Sequence, residues 1–225
     1  MRSTGRGSGV KAQDYAEVIS GLSGYYSAEG VLTALGNLVS LEDPFRVLIA
    51  TVLSQRTRDD VTERAEKALF VRYRDARSLA RAHIRDLEYI IRGVGFYRTK
   101  ARAIREIARL VLEKHNGKVP RNIDALLSLP HVGRKTANCV LVFGFGEPAI
   151  PVDTHVHRIS NRIGWVRTRT PEETEMALSS TLPRKYWLDL NELFVLHGQH
   201  ICRPVSPRCS ICPVARYCRW NKCHR

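Results

Sequence analysis

Seven residues, Leu129-Pro130-His131-Val132-Gly133-Arg134-Lys135, set a proline- and glycine-bearing turn directly before an apolar, helix-prone run. A lysine stands in the first turn of that run. The first N–H groups of a helix have no intrahelical partner, and the helix dipole adds positive potential there. Such a turn can therefore hold a phosphate. Lys135 feels the same positive end, with Arg134 beside it. Both effects disfavour the charged amine and make it a better nucleophile. On residue types alone, a phosphate-binding lysine and a Schiff-base former are equally good descriptions of Lys135.

A second cluster lies near the C-terminus. Cys202, Cys209, Cys212 and Cys218 follow the pattern C-x6-C-x2-C-x5-C. Four thiolates this close can surround one metal centre, either zinc or an iron–sulfur cluster. The spacing differs from the two C-x2-C pairs usual for zinc. Disulfides compete for the same residues, but the first residues of the sequence lack the apolar run of a secretory signal, and an intracellular chain disfavours them. Cys139 and Cys223 fall outside the pattern. Arg203 and Arg208 sit between the first two ligand candidates and can offer positive charge to a phosphate.

These groups must be held by helices, because nearly every periodic segment has the helical period. From Arg98 to His115, the residues Ala101, Ile104, Ala108, Val111 and Leu112 share one face, with Arg102, Arg105, Glu106 and Arg109 mostly off it. Asn116-Gly117 stops that helix. Thr170-Pro171-Glu172-Glu173 is a helix start. Further helices are expected over residues 14–21, 29–39, 45–54, 60–73, 77–82, 84–92, 122–128, 134–144, 154–162, 172–181, 185–200 and 210–215. No run of alternating β-branched residues stands out, so the chain reads as all-α. The segment around Lys135 reads as a helix–hairpin–helix: a short 122–128 helix, the turn, then the 134–144 helix.

Composition narrows the partner. The 225 residues carry 36 basic and 22 acidic side chains, a formal charge of +14, and only eight of the basic residues are lysine. Arginine suits bidentate phosphate contacts, so a nucleic-acid partner is expected. No apolar stretch reaches the roughly 18 residues of a membrane span. Residues 1–13, rich in Gly, Ser and basic side chains, read as a flexible basic arm.

Together, Leu53-Ser54-Gln55-Arg56-Thr57, Gly95-Phe96-Tyr97, Leu129 to Asn138, Val152-Asp153-Thr154-His155, Leu196-His197-Gly198 and the four cysteines resemble the endonuclease III family of DNA glycosylases. The matching stretch runs from Pro44-Phe45 to Cys218. The resemblance implies a two-domain helix–hairpin–helix glycosylase fold. A six-helix barrel domain would span 38–147, and an iron–sulfur cluster domain would combine 14–37 with 148–225. The active site would lie in the cleft between them, Lys135 on one wall and Asp153 on the other. The family removes oxidised pyrimidines from duplex DNA and nicks the abasic site by β-elimination. The implied cofactor is a [4Fe–4S] cluster on Cys202, Cys209, Cys212 and Cys218. The implied partner is double-stranded DNA with damaged pyrimidines or abasic sites, met by a monomer in the cytoplasm or nucleoid.

The resemblance also assigns roles. Lys135 would attack C1′ of the sugar, and Asp153 would stabilise positive character there and assist proton transfer. A base must leave the stack to be reached, and Gln55 or Arg56 from one side and Phe96 from the other would fill the gap. The backbone of His131, Gly133 and Lys135 would hold a phosphate near the lesion, with Arg134, Arg203 and Arg208 adding charge. His155 would orient Asp153, line the cleft or be structural, and His197 would be structural beside the cluster. Three positions depart from the family: His131 stands where glycine is usual, the family's gap-filling glutamine falls on Arg56 with Gln55 one place early, and Leu127 stands where some relatives carry an acid. Two competing activities remain. A monofunctional uracil/thymine or adenine mismatch glycosylase would place another residue at Lys135, and a non-catalytic DNA-binding module would not need Asp153.

Overall fold

The computed structural model describes residues 12–30, 33 and 43–223. The expected arm and the helix expected over 29–39 lie largely outside that range. The described residues are helical, with no strand among them. Two compact units divide the chain: Leu32–Pro151, and Met1–Val31 together with Val152–Arg225.

The Leu32–Pro151 unit holds α2 (Pro44–Ser54), α3 (Asp59–Arg72), α4 (Ala76–Ala80), α5 (Ile84–Ile90), α6 (Tyr97–His115), α7 (Ile123–Leu127) and α8 (Arg134–Cys139). Helix α2 starts where Asp43 accepts hydrogen bonds from the backbone N–H groups of Phe45 and Arg46, with Pro44 in its first turn. It is buried from Phe45 to Leu53 and forms the centre of this unit. Helix α6 buries Ala101, Ile104, Ala108 and Val111, as the periodicity requires, and ends at Asn116 and Gly117, both with positive φ. Leu48, Leu53, Leu69, Leu79, Leu87, Ile91, Ile104, Ile107 and Leu126 fill one core.

The expected 134–144 helix changes character midway. α8 passes into a π-helical turn at Val140–Gly144, which buries Val140 to Phe143. There the backbone comes so near α2 that a Cβ on Gly144 would sit 3.1 Å from Pro44 Cα.

The other unit holds α1 (Ala12–Glu29), α9 (Thr154–Ile163), α10 (Pro171–Thr181), α11 (Trp187–His200) and α12 (Arg219–Cys223). Both α1 and α9 pack on α11. Helix α1 runs well past the expected 14–21, because Leu22 and Tyr26 continue its buried face beyond Gly21 and Gly24. The expected 210–215 helix is instead two 3-10 turns, Cys209–Ile211 and Ala215–Tyr217. Here the chain bends to face its cysteines inward.

Candidate functional site

In the Leu32–Pro151 unit, α7, the turn and α8 form the expected hairpin. The Asn122 side chain caps α7 by accepting from Ala125 N at 2.8 Å. Leu129 and Val132 are buried and pin the turn, whereas His131 and Gly133 are exposed. His131 has φ 60, the left-handed conformation that explains why a glycine is expected there. Gly133 has φ −89 and open space where a Cβ would be. Neither conformation nor packing demands glycine there. Helix α8 begins at Arg134, with Ala137 N donating to Gly133 O, so half-buried Lys135 is in its first turn.

The turn is braced from α2. Gln55 Nε2 donates to His131 O at 2.9 Å and to Thr136 Oγ1 at 3.3 Å. That engagement separates Gln55 from its neighbour. Arg56 is exposed at φ 52. Phe96, at φ 57 and 65% exposed, lies with its ring centroid 5.8 Å from the Arg56 guanidinium carbon. Two non-glycine residues in left-handed conformation thus present side chains outward from one place. Gly95 permits it, since a Cβ there would meet Arg56 O at 2.7 Å.

Sequence reasoning missed Lys100, whose Nζ reaches under this loop to Leu53 O, Gln55 O and Thr57 Oγ1. Burial lowers its pKa to about 8. A lysine four residues before Ile104, on the apolar face of α6, was the available signal.

In the other unit, Asp153 caps α9: its Oδ1 accepts from His155 N at 2.9 Å and Val156 N at 2.8 Å. Oδ2 takes no part in the cap. His155 Nδ1 lies 3.1 Å from Arg158 Nη2, and its ring packs so closely on α11 that a Cβ on Gly198 would fall 2.1 Å away. Its side chain is thus engaged in packing. Arg158, also missed, donates to the carbonyls of Cys202 and Gly198. Burial is the main reason its pKa is lowered.

Cys202, Cys209, Cys212 and Cys218 line one cavity together with His197, Arg162 and Arg208, and none is in a disulfide. Among the described residues, no three His, Cys, Asp or Glu side chains gather on one ion-sized point. Donors already face the sulfurs. Arg162 Nη1 is 3.4 Å from Cys202 Sγ, and His197 Nε2 is 3.5 Å from Cys212 Sγ. Burial holds the Cys212 thiol up at about 11 and His197 down at about 4. Burial also raises the Tyr26 phenol, whose OH lies 3.2 Å from His197 Nδ1. A protonated phenol donating to Nδ1 leaves Nε2–H to donate to Cys212. Arg203 and Arg208 are exposed on the intervening loop, and Arg162 Nη1 donates to Arg203 O at 2.6 Å.

A hairpin turn opening on a lysine, an outward arginine–phenylalanine pair, a capping aspartate and four cysteines on one cavity define a class. Residues 49–184 match the HhH-GPD superfamily of base excision DNA repair proteins. Endonuclease III of Thermotoga maritima is 55% identical over 180 residues, covering 80% of this chain and 84% of that protein. Endonuclease III of Bacillus subtilis is 37% identical, covering 79% and 81%. A solved structure of a trapped endonuclease III–DNA covalent intermediate superposes with TM-score 0.81 at 34% identity, covering 95% of this chain and 98% of that one. A thermostable thymine-DNA glycosylase, at TM-score 0.82 and 24% identity, shares the fold.

The chain belongs to the endonuclease III family. It is a bifunctional enzyme, a DNA glycosylase with abasic-site lyase activity. The family carries a [4Fe–4S] cluster. Among the described residues, no helix is long and apolar enough to cross a membrane.

Proposed function

We propose that Lys135 is the nucleophile of this enzyme and Asp153 its electrostatic and proton-transfer partner, acting on oxidised pyrimidines in duplex DNA. The observation that carries this assignment is the start of α8. A turn with a left-handed His131 and a solvent-open Gly133 delivers Lys135 into the first helical turn. There a phosphate can approach the backbone of His131, Gly133 and Lys135, with Arg134 alongside.

The Lys135 amine attacks C1′ as the bond to the base breaks, and the departing base takes up a proton. The sugar ring opens to an iminium on Lys135, which acidifies the C2′ hydrogen. Loss of that proton expels the 3′ phosphate by β-elimination. Asp153 Oδ1 is engaged in the cap, and Oδ2 is the oxygen offered to developing positive charge. Arg56 and Phe96 fill the space left by the flipped nucleotide, while Gln55 braces the hairpin. The exposed Arg203 and Arg208 add phosphate contacts.

Cys202, Cys209, Cys212 and Cys218 would hold the [4Fe–4S] cluster that the family carries, since they share one cavity and N–H donors face two of their sulfurs. The cluster supplies rigidity to the 202–218 loops, since the chemistry above needs no electrons. In this reading Leu32–Pro151 is the barrel domain and the remaining residues the cluster domain. The enzyme acts as a monomer on DNA in the cytoplasm or nucleoid.

Borohydride trapping on a lesion-bearing duplex tests the nucleophile. Wild type gives a covalent adduct, and Lys135→Ala gives none. Base release by wild type with no adduct would instead mark a monofunctional glycosylase, and binding with neither would mark a non-catalytic module. Purified protein is coloured if the cysteines hold iron and sulfur, and colourless if they hold zinc.

A further inference from the structure

Lys100 is a buried cation that has no acidic partner among the described residues. Only 5% of its surface is exposed, and its three hydrogen-bond acceptors are neutral oxygens: Leu53 O at 2.8 Å, Gln55 O, and Thr57 Oγ1 at 3.1 Å. An ammonium taken out of water is costly without compensation, so its placement calls for a task. The acceptors identify one. Two of them are carbonyls at the C-terminal end of α2, where the helix leaves its last C=O groups unpaired and its dipole favours a cation.

These oxygens bracket Arg56. Thr57 Oγ1 also accepts from Gly95 N at 3.2 Å, and Thr57 N donates to Ser54 O at 3.0 Å. Lys100 itself stands in the first turn of α6, four residues after Phe96, whose carbonyl accepts its N–H at 3.0 Å. One side chain thus ties the Gln55–Thr57 loop to the Gly95–Phe96 turn. Both Arg56 and Phe96 hold left-handed backbones, a conformation that is strained for a residue with a Cβ and persists only when its surroundings enforce it.

We propose that Lys100 is the positioning residue of the gap-filling pair, a clasp that holds Arg56 and Phe96 outward together so that duplex DNA meets them already arranged. This rests on the reading that Arg56 and Phe96 enter the stack. Buried beneath the loop, Lys100 acts through Arg56 and Phe96 and not on the reacting atoms.

The test compares cleavage of an abasic site in a duplex with cleavage of the same strand single-stranded, where no stack has to be filled. The readout is the ratio of the two single-turnover rates. Lys100→Met should lower that ratio by roughly tenfold, since displacing a positioned group by an ångström costs that much or more. Arg56→Ala should lower it as well, and the Lys100→Met/Arg56→Ala double variant should fall no further than Arg56→Ala alone. Thr57→Val, which removes the oxygen shared by Lys100 and Gly95, keeps the test intact if Lys100→Met does not fold, and should lower the ratio in the same direction.

Equal losses on both substrates would reduce Lys100 to a fold-stabilising residue and overturn the proposal. Fully additive losses in the double variant would do the same. A ratio unchanged in Lys100→Met or Thr57→Val but lowered in Arg56→Ala would overturn the clasp and leave the gap-filling reading standing. A ratio unchanged in Arg56→Ala would overturn both.

Discussion

His131 shows what one residue can reveal about a turn. Its φ of 60 is the reason glycine suits this position, and histidine tolerates the left-handed region better than a β-branched residue does. His131→Val is therefore expected to destabilise the protein by about 1 kcal/mol or more, with His131→Gly no less stable than wild type. Urea unfolding of the three proteins checks the order. Gly198 poses the opposite constraint, one of space rather than conformation. A methyl group there would lie 2.1 Å from His155 Nδ1 and 2.8 Å from Arg158 Nη2. Gly198→Ala should thus cost about 1–3 kcal/mol as the His155–Arg158 contact is forced apart, a loss visible in thermal unfolding. Gly198 was legible as part of a motif, whereas its reason was not, because that reason is a neighbour on another helix.

At the scale of the element, helix ends do most of the positioning. The C-terminal end of α2, the start of α6 and the start of α8 carry Arg56, Phe96 and Lys135, and Asp153 caps α9. Periodicity marked these helices because an apolar face must be buried. Lys100 escaped because its acceptors belong to a loop that sequence cannot place beneath α6. Its pKa gives an element-level prediction. Burial brings Lys100 from 10.5 to about 8. Below about 8 the amine is charged in both folded and unfolded chains, and its burial cost is fully present. Between about 8 and 10.5 the unfolded chain binds more protons than the folded one, so this group's contribution makes stability rise with pH. Wild type should gain stability relative to Lys100→Met across that window, as urea midpoints at a series of pH values would show. An unchanged difference between the two proteins would contradict a buried, downshifted amine.

For the whole molecule, charge decides how it meets its partner. With a formal charge of +14 and most cations supplied by arginine, DNA binding should be strongly salt-dependent. If about six phosphates are neutralised, affinity falls roughly a thousandfold between 50 and 200 mM salt, measurable by titration of a labelled duplex. A nearly flat salt dependence would mean that the basic surface is not the contact. Removing Arg203 and Arg208 together should reduce the slope by about two, if each neutralises one phosphate.

By itself the sequence determined the all-helical class, the turn before Lys135 and the grouping of four cysteines. These depend on local propensity, on hydrophobic period and on spacing along the chain, all of which act over a few residues. Tertiary structure alone decided that the cysteines share one cavity, that Gln55 is occupied with the hairpin while Arg56 faces outward, and that Lys100 and Arg158 spend their hydrogen bonds on distant carbonyls. Each of those outcomes depends on which unpaired backbone groups are brought beside which buried side chain. That is fixed by how whole helices pack, and no short stretch of sequence contains it.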